Sequence, residues 1–270
     1  MTDTAIIAGR GGLPAALVAA MNEAPMVCAL DGFLPEAVAV DLVFRLERLV
    51  PFLRLLEDRG VRRVIFAGAV QRPRLDPALF DPSTAQMVPR LLAAMQAGDD
   101  ASLRVVLEIF EEAGFAILGV ADVAPALVPG PGLLCGAPSE RDSADATRAA
   151  AIVAALGAVD VGQGVVVAQG LCLAVETLPG TDAMLAAVAA IPATLRPDPG
   201  RGRGLFYKAP KPGQDRRIDL PTLGVETIRR AAAAGLGGVA WQAGAVICLD
   251  LPAMVAEAQA LGLFLWSRAP

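Results

Sequence analysis

IIAGRGGLP, residues 6–14, reads as the end of a buried strand, a glycine turn and the opening of a helix, with Pro14 suited to a first helical turn. Such a strand–turn–helix offers backbone amides and a helix N-terminus to an anion. As a dinucleotide fingerprint it is incomplete. Gly9 and Gly11 fit the first two positions, but Pro14 stands where a third glycine belongs. Asp31 follows at the end of the next apolar run, where a ribose-binding acid would sit. The turn is open to a nicotinamide cofactor, to another nucleotide or phosphate, or to no ligand at all.

Outward from this segment, residues 4–8, 26–30, 64–67 and 115–120 read as short buried strands. Between them, helical patterns start near Pro14 and cover 47–59, 85–97 and 101–113, with Pro51 at a start or kink. Strands alternating with helices predict an α/β fold, a Rossmann-like doubly wound parallel sheet, over residues 1–130. Residues 124–138 hold four prolines and three glycines, and 131–140 is expected to be a linker. A second, mixed-sheet α/β domain is expected over 141–270. There, 164–168 and 171–176 flank a tight Gln169-Gly170 turn as a hairpin. Helices are expected over 143–156, 182–190, 225–234 and 252–261, and strands over 205–208, 245–249 and 263–266.

Composition narrows the chemistry. The 270-residue chain is 55% hydrophobic and carries a formal charge of -5, so a broad nucleic-acid footprint is not expected. It has no histidine, which removes Ser-His-Asp triads, HExxH zinc proteases and histidine-rich dinuclear phosphoesterases. Any metal must rest on oxygen ligands, which favours magnesium, manganese or calcium. The four cysteines are scattered without a CxxC pair, as reduced thiols in a cytoplasm would be. The N-terminus does not read as a secretory signal. Residues 231–249 carry no charge, yet their glycines and alanines suit a helix, a turn and a strand better than a membrane span. The mean hydropathy of +0.54 leaves room for an apolar ligand chamber or an oligomer interface.

The densest charge lies in YKAPKPGQDRRIDLPTLG, residues 207–224. Lys208, Lys211, Arg216 and Arg217 crowd against Asp215 and Asp219 in a loop stiffened by proline. The cations suit phosphate oxygens, and a carboxylate there suits a divalent metal or a steered water. The alternative is a solvated surface loop. Other candidates carry similar pairs of readings. Asp100, in the Gly98-Asp99-Asp100 run before a helix, is a cap or a metal or ribose contact. Thr181 and Asp182 suit a helix start as well as a ligand. Gln163 and Glu176 are polar residues in apolar surroundings, either satisfied core groups or ligands. Arg72, beyond a strand's C-terminal end, is a phosphate contact or a loop cation.

Taken in order, IIAGRGGLP, FAGAVQRP, AGDDASLR, VGQGVVVAQGLCLAVE, GTDAML and KAPKPGQDRRIDLPTLG resemble the LpxI-type UDP-2,3-diacylglucosamine pyrophosphatases. The likeness runs from Ile6 to Gly224 and continues more weakly to the C-terminus; the KAPKP-Q-DLPT-G element is its most distinctive part. The resemblance implies a magnesium-dependent enzyme of lipid A synthesis in a Gram-negative bacterium, with manganese as a substitute. It would split UDP-2,3-diacylglucosamine into UMP and 2,3-diacylglucosamine 1-phosphate (lipid X), by water attack on the sugar-side phosphorus. It implies an active site between two α/β domains, a homodimer, a lipid-linked UDP-sugar as partner, no nucleic acid, and a cytoplasmic location with at most peripheral contact at the inner membrane.

By motif, Asp219 matches the family's catalytic aspartate, as base or metal ligand, with Asp182 as a second metal ligand. Gly11, Gly12, Gln163, Thr181, Lys208, Lys211 and Gln214 are expected to line the substrate site, together with Arg72, Asp100 and Arg217. The chain departs from the family at Pro179, where an acidic residue is usual, and at Gly213, where a larger one is common. The first departure puts more weight on Asp182 and Asp219. Two other readings stand beside this one: an NAD(P)-dependent oxidoreductase, suggested by Gly9, Gly11 and Asp31, and a non-catalytic UDP-sugar or lipid-binding module.

Overall fold

In the first compact unit, apolar runs too short for helices are buried on both faces, as parallel strands require. The computed structural model describes residues 2–71, 74–97 and 99–270, side chains at 97, 99 and 100 excepted. Its chain divides into Met1–Pro125 with Asp215–Asp219, and Ala126–Gln214 with Leu220–Pro270.

The elements of the first unit are β1 (Thr4–Ala8), α1 (Leu13–Ala20), β2 (Met26–Leu30), β3 (Leu42–Phe44), α2 (Leu49–Asp58), β4 (Arg63–Ala67), α3 (Pro82–Ala85), α4 (Val88–Ala97), α5 (Asp99–Glu112), β5 (Ala116–Leu118) and α6 (Val120–Val123). Its five strands lie in the order β3-β2-β1-β4-β5, all parallel, the doubly wound arrangement expected from the sequence. The strand order reverses between β1 and β4, and there the two following loops lock together. The Gly9 amide donates to Ala67 O at 2.7 Å, and Arg10 and Ala69 exchange backbone bonds. A Cβ on Gly9 would sit 2.6 Å from Ala69 O, so only glycine permits this approach. Phe44 and Phe52 stack at 3.9 Å in the core, which Phe110 and, from the 215–219 segment, Ile218 extend.

The second unit contains β6 (Gly132–Cys135), α7 (Glu140–Gly157), β7 (Gly164–Ala168), β8 (Leu171–Val175), α8 (Gly180–Ala189), β9 (Leu205–Lys208), β10 (Thr222–Leu223), α9 (Val225–Ala233), β11 (Gly238–Gln242), β12 (Ile247–Cys248), α10 (Leu251–Ala260) and β13 (Phe264–Arg268). Its main sheet runs β6-β13-β11-β9-β7-β8. β9, β11 and β13 are parallel, and β6, β7 and β8 pair antiparallel with their neighbours. Side chains alternate between two cores. Val165, Val167, Leu205 and Tyr207 pack with Ala146, Ala149 and Val153 of α7. Val166, Phe206 and Trp241 pack with residues of α8, α9 and α10 on the other face.

The expected hairpin is present, with Gln169 at φ 52° and Gly170 at φ 79°, as a tight type I′ turn needs. The buried Asp145 of α7 holds it by accepting both turn amides, at 2.8 and 2.6 Å. Two expectations are corrected. Residues 131–140, read as linker, contain the edge strand β6, whose partner β13 lies at the far end of the chain. The charge-free run places its long strand at Gly238–Gln242, and the expected 245–249 strand shrinks to the two residues of β12 against β10. No helix among the described residues is long and apolar enough to cross a membrane.

Candidate functional site

Polar side chains collect at one end of the second unit's sheet. β9 ends with Lys208, which lies in register opposite Gly164, the first residue of β7. Glu176 directly follows β8, and its amide donates to Gly164 O at 2.8 Å. α8 opens four residues after Glu176, at Gly180, and brings Thr181 into its first turn. Three elements thus deliver three polar groups to one place.

Lys208 is only 6% exposed, and an ammonium so placed needs a compensating charge. Its Nζ donates to Thr181 Oγ1 at 2.6 Å and lies 3.6 Å from Glu176 Oε2. Thr181 Oγ1 in turn donates to Glu176 Oε1 at 2.9 Å, so the hydroxyl's direction is fixed by an acceptor on one side and a donor on the other. Glu176 Oε2 is buried and makes no hydrogen bond among the described residues.

The charged loop is anchored beside this trio. The Ala209 amide donates to Gln163 O at 3.0 Å, and Gln214 Oε1 accepts from Gln163 Nε2 at 2.8 Å and from the Lys211 amide at 3.0 Å. The Lys211 ammonium pairs with Asp160, a residue at φ 60° just beyond α7. Within the second unit the structure therefore brings together Gln163, Thr181, Lys208, Lys211 and Gln214. Asp182, next along α8, is turned toward Arg230 of α9, with Oδ2 3.3 Å from Nε.

The remaining expected residues belong to the first unit. Gly11, at φ 95°, donates its amide to Glu36 Oε2 at 2.9 Å, and that bond holds the Glu36 carboxyl below its ordinary range. A carboxylate thus already occupies one amide of the glycine turn, the kind of partner an anion would be. Gly12 is the N-cap of α1. Asp31, the acid expected at a dinucleotide's ribose, is taken by Arg45 at 2.6 Å.

Arg217 grips Asp215 through Nε at 3.0 Å and Nη2 at 2.7 Å, and reaches Glu111 with Nη1 at 2.7 Å. These bonds hold the Asp215 carboxyl below its ordinary range and push the Arg217 guanidinium up. Asp219 closes this turn, its amide donating to Asp215 O at 3.2 Å. Arg72 and the side chain of Asp100 lie outside the described residues.

A metal was expected on Asp182 and Asp219. Asp182 has an arginine as its neighbour, and no group of three or more carboxylates or thiols suited to a metal occurs among the described residues. Sequence reading left two further residues open or unnoticed. Glu176 stood open between a satisfied core group and a ligand, and its signal is a lone acid ending the apolar run LCLAV. Asp160, the partner of Lys211, had no signal.

Two family models cover the chain. One described as the LpxI N-terminal domain matches residues 3–127, and one described as the LpxI C-terminal domain matches 130–266. The UDP-2,3-diacylglucosamine pyrophosphatase LpxI of Caulobacter vibrioides is 38% identical over 278 residues, a match that spans 100% of this chain and 99% of that protein.

Proposed function

The chain belongs to the LpxI family, and from that premise we propose that it is a hydrolase that splits the pyrophosphate bond of UDP-2,3-diacylglucosamine, the substrate in the name of its Caulobacter relative. Its products would be UMP and 2,3-diacylglucosamine 1-phosphate, in lipid A synthesis. The observation that carries the reading is the buried Lys208 ammonium, fixed by Thr181 and Glu176 at the start of a helix.

Breaking a diphosphate develops negative charge on the leaving phosphate, and fixed cations and backbone amides stabilise that charge without having to reorganise. Lys208 offers such a cation, and the first turn of α8 offers amides. Lys211 and Gln214 shape the loop alongside. Asp219 is proposed to orient the attacking water toward the sugar-side phosphorus, with UMP leaving. A divalent ion, magnesium or manganese, is proposed to be held chiefly by the substrate's own phosphate oxygens, as no cluster of three or more metal-suited side chains occurs among the described residues.

The finer parts of the reading are proposals of the same kind: a cytoplasmic homodimer that touches the inner membrane at most peripherally. Leu178, 99% exposed and three residues before Thr181, supports contact with an acyl chain or lipid surface near the site. The test is turnover in ¹⁸O-labelled water. UMP release with ¹⁸O in the sugar 1-phosphate is expected. Label in UMP would refute the sugar-side attack, and binding without any release of UMP would reduce the protein to a binding module.

A further inference from the structure

Lys208 and Lys211 are the only two lysines in the chain; all the rest of its 23 basic residues are arginines. An ammonium is a compact point charge with three donors, and a guanidinium is a broad planar fork, so the two are not equivalent in a buried site. Lys208 is the more enclosed of the pair, its side chain 8% exposed against 19% for Lys211. Its charge is balanced from the end of β8 by Glu176, whose side chain is 12% exposed. The other charged groups on the helices of this face pair among themselves: Asp182 of α8 and Glu226 of α9 with Arg230 of α9, and Arg229 of α9 with Glu257 of α10.

Glu176 is held in an unusual way. One carboxylate oxygen accepts the Thr181 hydroxyl, while the other is buried without a hydrogen bond among the described residues. The backbone leaves a slot for it, because a Cβ on Gly164 would lie 2.6 Å from that second oxygen. A buried ion pair so incompletely bonded adds little to stability. It does fix a charge. We propose that Glu176 is a positioning residue: its carboxylate holds the Lys208 ammonium in place and accepts the Thr181 hydroxyl, so that Thr181 Oγ1 faces the ammonium as an acceptor and the ammonium is presented to a phosphate oxygen of the substrate. This rests on the pyrophosphatase reading given above.

The test uses the full chain with ¹³C,¹⁵N-labelled lysine, whose two side-chain signals Lys211→Arg assigns. In the wild type, the Lys208 ammonium should exchange with water more slowly than that of Lys211. In Glu176→Gln, kcat for UMP release should fall at least about tenfold with KM little changed, as for a group that acts mainly in the transition state. The Lys208 signal should move or broaden with it, and Glu176→Asp should restore part of both. An unchanged Lys208 signal in Glu176→Gln overturns the proposal, whether or not turnover falls. So does wild-type turnover in that variant. If Glu176→Gln does not fold, the wild-type comparison decides, and a Lys208 signal no better protected than Lys211 overturns the idea. If the wild type releases no UMP, the pyrophosphatase reading fails, and the lysine signals still judge the pairing.

Discussion

Gly164 and Glu176 share a single volume: a methyl group on the glycine would lie 2.6 Å from the glutamate's Oε2 and 2.8 Å from the Phe206 ring. The glycine is what leaves room for that carboxylate beside the first residue of β7, 3.6 Å from the Lys208 ammonium.

Gly164→Ala should therefore destabilise the protein by about 1–3 kcal/mol, the usual scale for overpacking a tight site. It should lower turnover as well, by displacing Glu176. Thermal unfolding with parallel assays checks this, and an unchanged midpoint would show that the slot relaxes freely.

Lys208→Arg keeps the charge but forces a fork into a space that is 6% exposed. Turnover should drop at least about tenfold, and Lys208→Met should lose about a hundredfold or more, as when an electrostatic group is removed. Steady-state rates on folded variants decide it; an arginine variant as active as the wild type would argue that shape does not matter here.

Asp219→Ala should fold, bind substrate and lose at least about 100-fold in turnover, the scale of a positioned catalytic group. Near-normal activity would remove Asp219 from the mechanism.

Chelation with EDTA should abolish UMP release, and magnesium should restore it. Full activity in excess chelator would dismiss the ion.

The Asp215–Arg217 pair gives a pH signature. The folded-state pKa of Asp215 is lowered, first by its hydrogen bonds from Arg217, so its contribution is complete above the ordinary aspartate range and fades as pH falls through the depressed folded value. Asp215→Asn should cost no more than about 1 kcal/mol at neutral pH, given the partial exposure of the pair, and the difference from wild type should vanish in acid. Denaturant titrations at several pH values measure it; a gap that persists at the acid end would mean that the pair is not its source.

Local chemistry made much of the fold legible. The β1 turn, the parallel first sheet and the Gln169-Gly170 hairpin each follow from periodicity and turn residues within a short window. β6 did not, because a strand of glycine, leucine and cysteine between prolines becomes a strand only through β13, at the other end of the chain. β11 was hidden in the same way: GVAWQ has no alternation, since β9 and β13 pair both its edges and both its faces are buried, Val239 and Trp241 in one core and Ala240 in the other. At the site, Lys208, Thr181, Gln163 and Gln214 were legible from motifs and are brought together in one unit. Arg217 stood out by charge, but its bonds to Asp215 and Glu111 answer to a turn and a distant helix that no spacing announces. Glu176 was hard to read because its value depends on the missing side chain of Gly164 and on a lysine from another strand.

The return of Asp215–Asp219 to the first unit makes that unit discontinuous in the gene. A fragment ending at Pro125 would lack Ile218, which seals part of its aromatic core, and the guanidinium that clasps Glu111. Dissection by truncation should thus yield an unsealed N-terminal piece, and shuffling halves between relatives would transplant a core without its plug.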